Sequence, residues 1–470
     1  MNHTNTEKKS FKNLLCKANG LIEAIILTFV YFLIWRSFYR GTSFPYYGRG
    51  KYILAGIYIM LVAVFFVMNE SARFGYMKLS ETVISQFISI FVVDLITYFQ
   101  LSLIANVMID PIPMLLLLLI DFVICFILTF AFTKLYRGVY APKKLVMVYG
   151  NDNAINLKFK MDERSEKYQV NELLNINIGL DKIYSALPDF EGVIINDVPS
   201  DIRNDILKFC YERELDTYLV PKISDVIIRG AKEITLFDTP LISVKGKGLT
   251  YSQEFIKRLL DIFASFFSLI LFSPIMILIA IAIKIEDHGP VFFRQERVTK
   301  GGKIFKILKF RSMVVDAEDT TKYSNFKATD KDPRITKVGH LIRATRLDEL
   351  PQLFNIIKGD MSFVGPRPER YEHVEEYEKL LPEFKYRTKV KGGLTGYAQI
   401  YGKYNTGAYD KLRLDLKYIE DYSLFLDIKL IFMTLQVMLR PEATEGFDKA
   451  EELEKKKLEL LDKQNEQNGD

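Results

Sequence analysis

Five long apolar runs constrain this chain more than any other feature. Four come first, at roughly 21–35, 52–68, 83–108 and 112–135. Each approaches or exceeds the roughly 20 residues that cross a bilayer as a helix, the first being the shortest. Tyr46, Tyr47 and Tyr52 suit an interfacial belt. Asp94 and Asp121 lie within apolar runs. Such residues face a polar pathway, or else each other or a backbone partner.

Basic residues set the expected orientation. Lys8, Lys9, Lys12 and Lys17 precede the first run, and Lys134, Arg137, Lys143 and Lys144 follow the fourth. An even number of crossings with both basic ends in the cytoplasm fits. The first connection runs against this, with Arg36, Arg40, Arg49 and Lys51. The first run continues to Trp35 without a small-residue cleavage site, so it does not read as a cleaved signal.

The fifth run, at about 257–285, is different in kind. Its apolar part would be roughly 40 Å long as one straight helix, against about 30 Å of hydrocarbon. Pro274 stands in its middle and removes a backbone donor, and Ser273 can bond a carbonyl freed by it. Lys257 and Arg258 flank one end; Lys284, Arg294 and Arg297 flank the other. A helix that enters, bends at Ser273–Pro274 and leaves by the same face accounts for both features. The alternative is an ordinary fifth crossing with a proline kink.

Between these runs the pattern changes. The segments KLVMVYG, GVIINDV and DTYLVP read as short buried strands, and SDIRNDILKFCYEREL as an amphipathic helix capped by Ser200 or Asp201. Strand–helix alternation predicts a small parallel, Rossmann-like α/β domain over 144–248. The turn after its first strand is YGNDNA, with Gly150 alone, so it lacks the glycines of a dinucleotide fingerprint. The expected organisation is a four-helix membrane region at 1–143, this domain, a mainly helical third part at 249–440, and a charged tail at 441–470. Segments GPVFFRQERV and GKIFKILKF read as strands with a basic face.

Composition narrows the chemistry. The chain has 49% hydrophobic and 26% charged residues, with three cysteines and four scattered histidines. A disulfide framework, a cysteine zinc site and histidine catalysis are all poorly supplied. Carboxylates, lysines and arginines remain. The net charge of +5 suits an anionic surface or phosphorylated ligands, and nothing in the pattern points to nucleic acid.

Those residue types gather in RLDELPQLFNIIKGDMSFVGPRPE. Asp348 and Glu349 adjoin just before Pro351. They read either as an N-cap with a first-turn charge, or as a reactive pair at a helix start. Arg367 is wedged between Pro366 and Pro368, which aims its guanidinium at low entropic cost. Lys309, Arg311, Arg334, Arg343 and Arg346 add cations, or a solvated basic face. A carboxylate pair with cations and no histidine points to phosphoryl chemistry with a divalent metal.

Residues 250–440 resemble the bacterial sugar transferases called monotopic phosphoglycosyl transferases. The matching pieces are KRLLDI, the SP break, GPVFFRQERV, GKIFKILKFRSM, DPRITKVGHLIRATRLDELPQLFNIIKGDMSFVGPRPE, GGLTGYAQIYG and DLKYIEDYSLFLDI. The whole chain resembles the large members, polyprenyl glycosylphosphotransferases that start capsule or exopolysaccharide repeat units in the bacterial inner membrane. The resemblance implies transfer of a sugar 1-phosphate from a UDP-sugar to undecaprenyl phosphate, with UMP leaving and the catalytic part cytoplasmic. It implies Asp348 as nucleophile, Glu349 as its partner holding Mg2+, Arg367 as a phosphate-binding arginine, and Ser273–Pro274 as the break of a re-entrant helix. One position departs: Gly392 stands where many members carry proline, which predicts a looser loop. Direct displacement by the lipid phosphate, a non-catalytic scaffold and a transporter are the rival readings. The transferred sugar and any homo-oligomer are not readable.

Overall fold

The computed structural model describes residues 2–41, 50–71, 78–151, 153–165, 167–244, 246, 248–315, 317, 332–402 and 406–438. Tyr46, Tyr47, Arg49 and the tail expected at 441–470 lie outside them. The chain divides into two compact units, 1–220 and 221–470. Among the described residues five helices are long and apolar enough to cross a membrane, four in the first unit and one in the second.

In the first unit α1 (Asn2–Ile34), α2 (Gly50–Met68), α3 (Leu79–Ala105) and α4 (Ile112–Val139) pack in sequence, and α4 closes on α1. The bundle inverts the polarity of a water-soluble protein. Leu21, Phe29, Ile53, Leu103 and Leu119 are exposed, while Glu23, Gln86, Asp94, Asp121 and Thr129 are buried. Apolar outside and polar inside is what association with lipid selects. The two aspartates share one partner: Tyr58 Oη lies 2.9 Å from Asp94 Oδ1 and 2.8 Å from Asp121 Oδ2. Tyr31 stacks on that ring at 4.3 Å between centroids. Glu23, which the sequence did not single out, accepts from Asn19 and Gln86, each at 3.1 Å.

The α/β part of this unit is a four-stranded parallel sheet ordered β2-β1-β3-β4: β1 Lys143–Tyr149, β2 Tyr168–Asn175, β3 Gly192–Asn196 and β4 Asp216–Leu219. Alternate residues of β1 serve two cores. Leu145 and Met147 pack on α5 (Asn153–Asp162), while Val146 and Val148 pack toward Ile206 and Cys210 of a later helix, Ser200–Glu212. Burial on both faces is why the strands read as continuous apolar runs. β2 was not legible, because its polar outer residues break the pattern. Pro199, not Ser200 or Asp201, occupies the N-cap position of helix Ser200–Glu212. In the crevice where strand order reverses, Asn151 Nδ2 hydrogen-bonds Asp197 Oδ2. Gly150 there meets the Asp197 backbone, so it serves close packing and not pyrophosphate approach.

The expected boundary at 248 falls at 220/221 by packing. Helix Ile223–Arg229 buries Ile223 and Val226 in the core of the second unit with Leu412, Leu416 and Leu430. A hairpin, Lys232–Leu236 with Thr239–Ser243, follows. Then comes the fifth apolar helix, Tyr251–Asp287, called M here. It is one helix of 37 residues with Pro274 inside it. Pro274 frees the carbonyl of Ile270, four residues back, and Ser273 Oγ donates to that same oxygen at 2.9 Å. Both halves of M bond to the rest of its unit. Lys257 pairs with Asp427 at 2.6 Å, and Asp261 accepts from Ser362 Oγ and the Phe363 amide at 2.9 and 2.8 Å. Beyond the proline, Met276, Ile279 and Ile283 pack on Phe310 and Ile342, and Glu286 accepts from the amides of Lys337 and Val338. Between these anchors Phe263, Phe267, Ile270, Leu271, Ile277 and Leu278 are exposed.

A change of Tyr58→Phe removes the hydroxyl that both buried aspartates share. It should lower the unfolding free energy of the full chain in detergent by about 1–3 kcal/mol. Tyr52→Phe, on an exposed ring, should leave the melting temperature unchanged.

Candidate active site

An antiparallel ribbon, Phe292–Val298 with Ile304–Phe310, forms one wall. Its turn uses Gly301 (φ 69°) and Gly302 (φ 76°), a left-handed pair that other residues rarely adopt. Lys309 projects from the second strand of the ribbon. Helix Gln352–Lys358, called D here, packs alongside and is keyed to that strand by Asn355. The Asn355 Oδ1 accepts from the Leu308 amide and its Nδ2 donates to the Lys306 carbonyl, both at 2.9 Å. Gly359, at φ 97°, ends the helix.

The carboxylate pair precedes helix D on a 3₁₀ turn, Leu347–Glu349. Arg346 enters that turn with φ 54°, a conformation unusual for a large side chain. Its carbonyl accepts the Glu349 amide at 3.2 Å. Pro351, not Asp348, is the N-cap residue of helix D, and both acids lie in the first turn of the 3₁₀ segment. Glu349 Oε1 receives two cations: Arg367 Nη2 at 2.7 Å and Lys309 Nζ at 3.0 Å. Lys309 Nζ is also 3.9 Å from Asp348 Oδ2.

This arrangement splits two adjacent acids. Glu349 is held well below the usual carboxylate range, because Arg367 and Lys309 outweigh its burial. The Asp348 carboxyl is raised, because burial outweighs the attraction of Lys309, Arg343 and Arg367, and the neighbouring Glu349 adds repulsion. The cations dominate at Glu349 and burial dominates at Asp348. One acid is locked as a counter-ion and the other is a desolvated, more basic carboxyl.

The loop carrying Arg367 is fixed through its backbone. Pro366 O accepts from the Gly393 amide at 2.8 Å, and Pro368 O from Arg297 Nη1 at 3.1 Å. Arg387 Nη2 donates to Arg367 O at 2.7 Å while its guanidinium pairs with the buried Asp415 at 2.8 Å. Glu369 is held by Lys411 at 3.3 Å. Pro366 and Pro368 thus contribute carbonyl anchors. Arg297 has its pKa lowered to about 10 by burial beside Arg367 and Arg370, so the site carries crowded positive charge. Arg387 and Asp415 were not picked out from sequence, and Arg297 only as a charge flanking the fifth run; no local spacing links them to the pair.

The other predicted cations divide. Arg311 is bound to Asp287 at the end of helix M, and Arg334 to Asp332 at 2.6 Å. The structure does not bring either onto the carboxylate pair. The loop at Gly392 is pinned and not loose. Its amide donates to Thr299 Oγ1 at 3.0 Å, its carbonyl accepts from Ser362 at 2.8 Å, and a Cβ there would lie 2.5 Å from Pro368 Cγ. A proline would lose that amide bond.

Among the described residues no cluster of three or more His, Cys, Asp or Glu is set to hold a metal. The donors present still fit Mg2+, which binds through one or two carboxylates, with phosphate oxygens and water completing its shell. Both cations sit on Oε1 of Glu349.

Residues 252–441 match the family model described as bacterial sugar transferase. The chain is similar to UDP-N-acetylgalactosamine-undecaprenyl-phosphate N-acetylgalactosaminephosphotransferase of Aeromonas hydrophila, 38% identical over 54% of this chain and 61% of that protein. It is similar to UDP-glucose:undecaprenyl-phosphate glucose-1-phosphate transferase of Klebsiella pneumoniae, 40% identical over 54% of each chain. A protein of the same name from Caulobacter vibrioides is 40% identical over 39% of this chain and 69% of its own length.

The chain belongs to the bacterial sugar transferase family. The match spans only about half to three-fifths of the first two relatives. In this sugar transferase the carboxylate pair, Lys309 and Arg367 all lie inside the matched region.

The two acids should respond to neutralisation with opposite sign. Asp348→Asn removes a desolvated charge and should raise the melting temperature at neutral pH. That gain exists above the raised pKa of Asp348 and disappears as pH falls through it. Glu349→Gln leaves the partly exposed Arg367 and Lys309 without their shared carboxylate and should cost about 1–3 kcal/mol at neutral pH. Thermal unfolding across pH 4–8 checks both.

Proposed function

We propose that this sugar transferase moves a sugar 1-phosphate from a UDP-sugar to undecaprenyl phosphate through a covalent intermediate on Asp348. The observation that carries the reading is the division of labour in the pair. Glu349 is neutralised by Arg367 and Lys309, which leaves the Asp348 oxygens to react. A carboxylate needs no general base at neutral pH. An Asp348 oxygen bonds to the sugar-bearing phosphorus, the bridging P–O bond breaks, and UMP leaves with the electron pair. An oxygen of the lipid phosphate then bonds to the same phosphorus, and Asp348 departs as carboxylate. Arg367 and the crowded Arg297 offset the charge of the diphosphate. Mg2+ held by Glu349 would neutralise the departing phosphate.

The reading includes a membrane arrangement. Helix M presents an apolar stripe, yet polar residues on both sides of Pro274 bond to one unit. A straight crossing would set those anchors about 30 Å apart on opposite sides of the hydrocarbon. Entry and exit by one face keeps both ends together, with the catalytic unit on the cytoplasmic side of the bacterial inner membrane. The four N-terminal helices then cross, and the product begins a capsular or exopolysaccharide repeat unit. Similarity to undecaprenyl-phosphate sugar-phosphate transferases supports this substrate class. A scaffold or a transporter would need no such reactive pair.

UMP release across a panel of UDP-sugars, with undecaprenyl phosphate and Mg2+, tests the reading. One sugar should give turnover, Asp348→Asn should abolish it, and chelation should suppress it reversibly. The acid limb of kcat/KM should lie above the ordinary aspartate range and move to higher pH in Lys309→Met. No UMP from any donor would overturn the proposal.

A further inference from the structure

Helix D has seven residues, about 10 Å of helix, too short to persist unaided. The reactive pair sits before its first turn. Its far end is gripped from helix M. Arg258 Nη1 donates to Ile356 O and Arg258 Nη2 to Ile357 O, both at 2.5 Å. Those are carbonyls of the last turn, where a cation also meets the negative end of the helix dipole. The same end packs beside Gly359, where a Cβ would lie 3.4 Å from Arg258 Nη2 and 3.7 Å from Lys391 Nζ. Arg258 follows Lys257 and precedes Asp261, whose bonds to Asp427 and Ser362 fix this segment of helix M.

We propose that Arg258 is a positioning residue for the carboxylate pair: by forking onto Ile356 O and Ile357 O it sets helix D, and with it Asp348, against the lipid-facing helix. A guanidinium spans two successive carbonyls; an ammonium is a single compact charge with no such fork. Asn355 ties the same helix to the strand bearing Lys309. Displacement of helix D therefore shifts Asp348 relative to Lys309 and Arg367. The step on the water-soluble donor thus depends on a residue of the lipid-facing helix that touches no substrate. This rests on the function proposed above.

The test uses the full chain in nanodiscs with the active UDP-sugar alone, in single-turnover UMP release. Arg258→Ala should slow the release rate constant by about tenfold to a hundredfold, with KM for the donor within about twofold. Arg258→Lys should fall between, and added guanidinium ion should partly restore Arg258→Ala. Glu254→Gln, an exposed neighbour paired with Lys300, should match the unmodified protein. If Arg258→Ala fails to fold, Arg258→Lys and its KM-against-rate split decide. Unchanged rates in the Arg258 variants, or a loss confined to KM, overturn the inference. Absence of UMP release from the unmodified protein overturns the function on which it rests.

Discussion

Two cations meeting on one oxygen of Glu349 organise the catalytic unit. Lys309 reaches that oxygen from the ribbon, Arg367 from a loop stapled on both sides, and Glu349 itself from the turn before a short helix. Three separate chain segments thus converge on an atom. Burying that much charge is costly unless each member is paired. The pairing is uneven, and the unevenness has chemical meaning. Asp348 keeps the burial but receives little of the direct contact, so its carboxylate is the less stabilised of the two.

The supports behind this point are carbonyls as much as side chains. Arg387 holds the backbone of Arg367, Arg297 that of Pro368, Gly393 that of Pro366, and Arg258 the end of helix D. Arginine recurs because its planar fork can serve two acceptors at once. Asp415 compensates Arg387 inside the core, and Lys257 with Asp427 does the same for helix M. Helix M and the carboxylate pair are consequently parts of one packed body, with the apolar stripe of helix M on its exposed side.

Much of this was legible in the sequence, and the reasons are local. Length and hydropathy define the apolar helices; alternation to a fully apolar run defines β1 and β3. Pro274 and Ser273 predict their own hydrogen bond because the freed carbonyl is always four residues back. Asp348, Glu349 and Arg367 stand out through their proline neighbours. What was not legible is what depends on distant contacts. Asp415 and Arg387 lie 28 residues apart and meet only in the core. Arg311 and Arg334 looked equivalent to Lys309, and only the fold shows that Asp287 and Asp332 claim them. The segment 221–248 was placed with the sheet before it, since packing of Ile223 and Val226 on Leu412 and Leu416 leaves no mark in local pattern. Gly392 read as slack; its amide is in use.

The most direct measurement is mass spectrometry of the purified protein after exposure to its donor without any lipid acceptor, followed by acid quench and proteolysis. The account predicts a phosphosugar mass on the peptide containing Asp348, which disappears when undecaprenyl phosphate is added. A donor that yields UMP only when the lipid is present, with that peptide never modified, would contradict it.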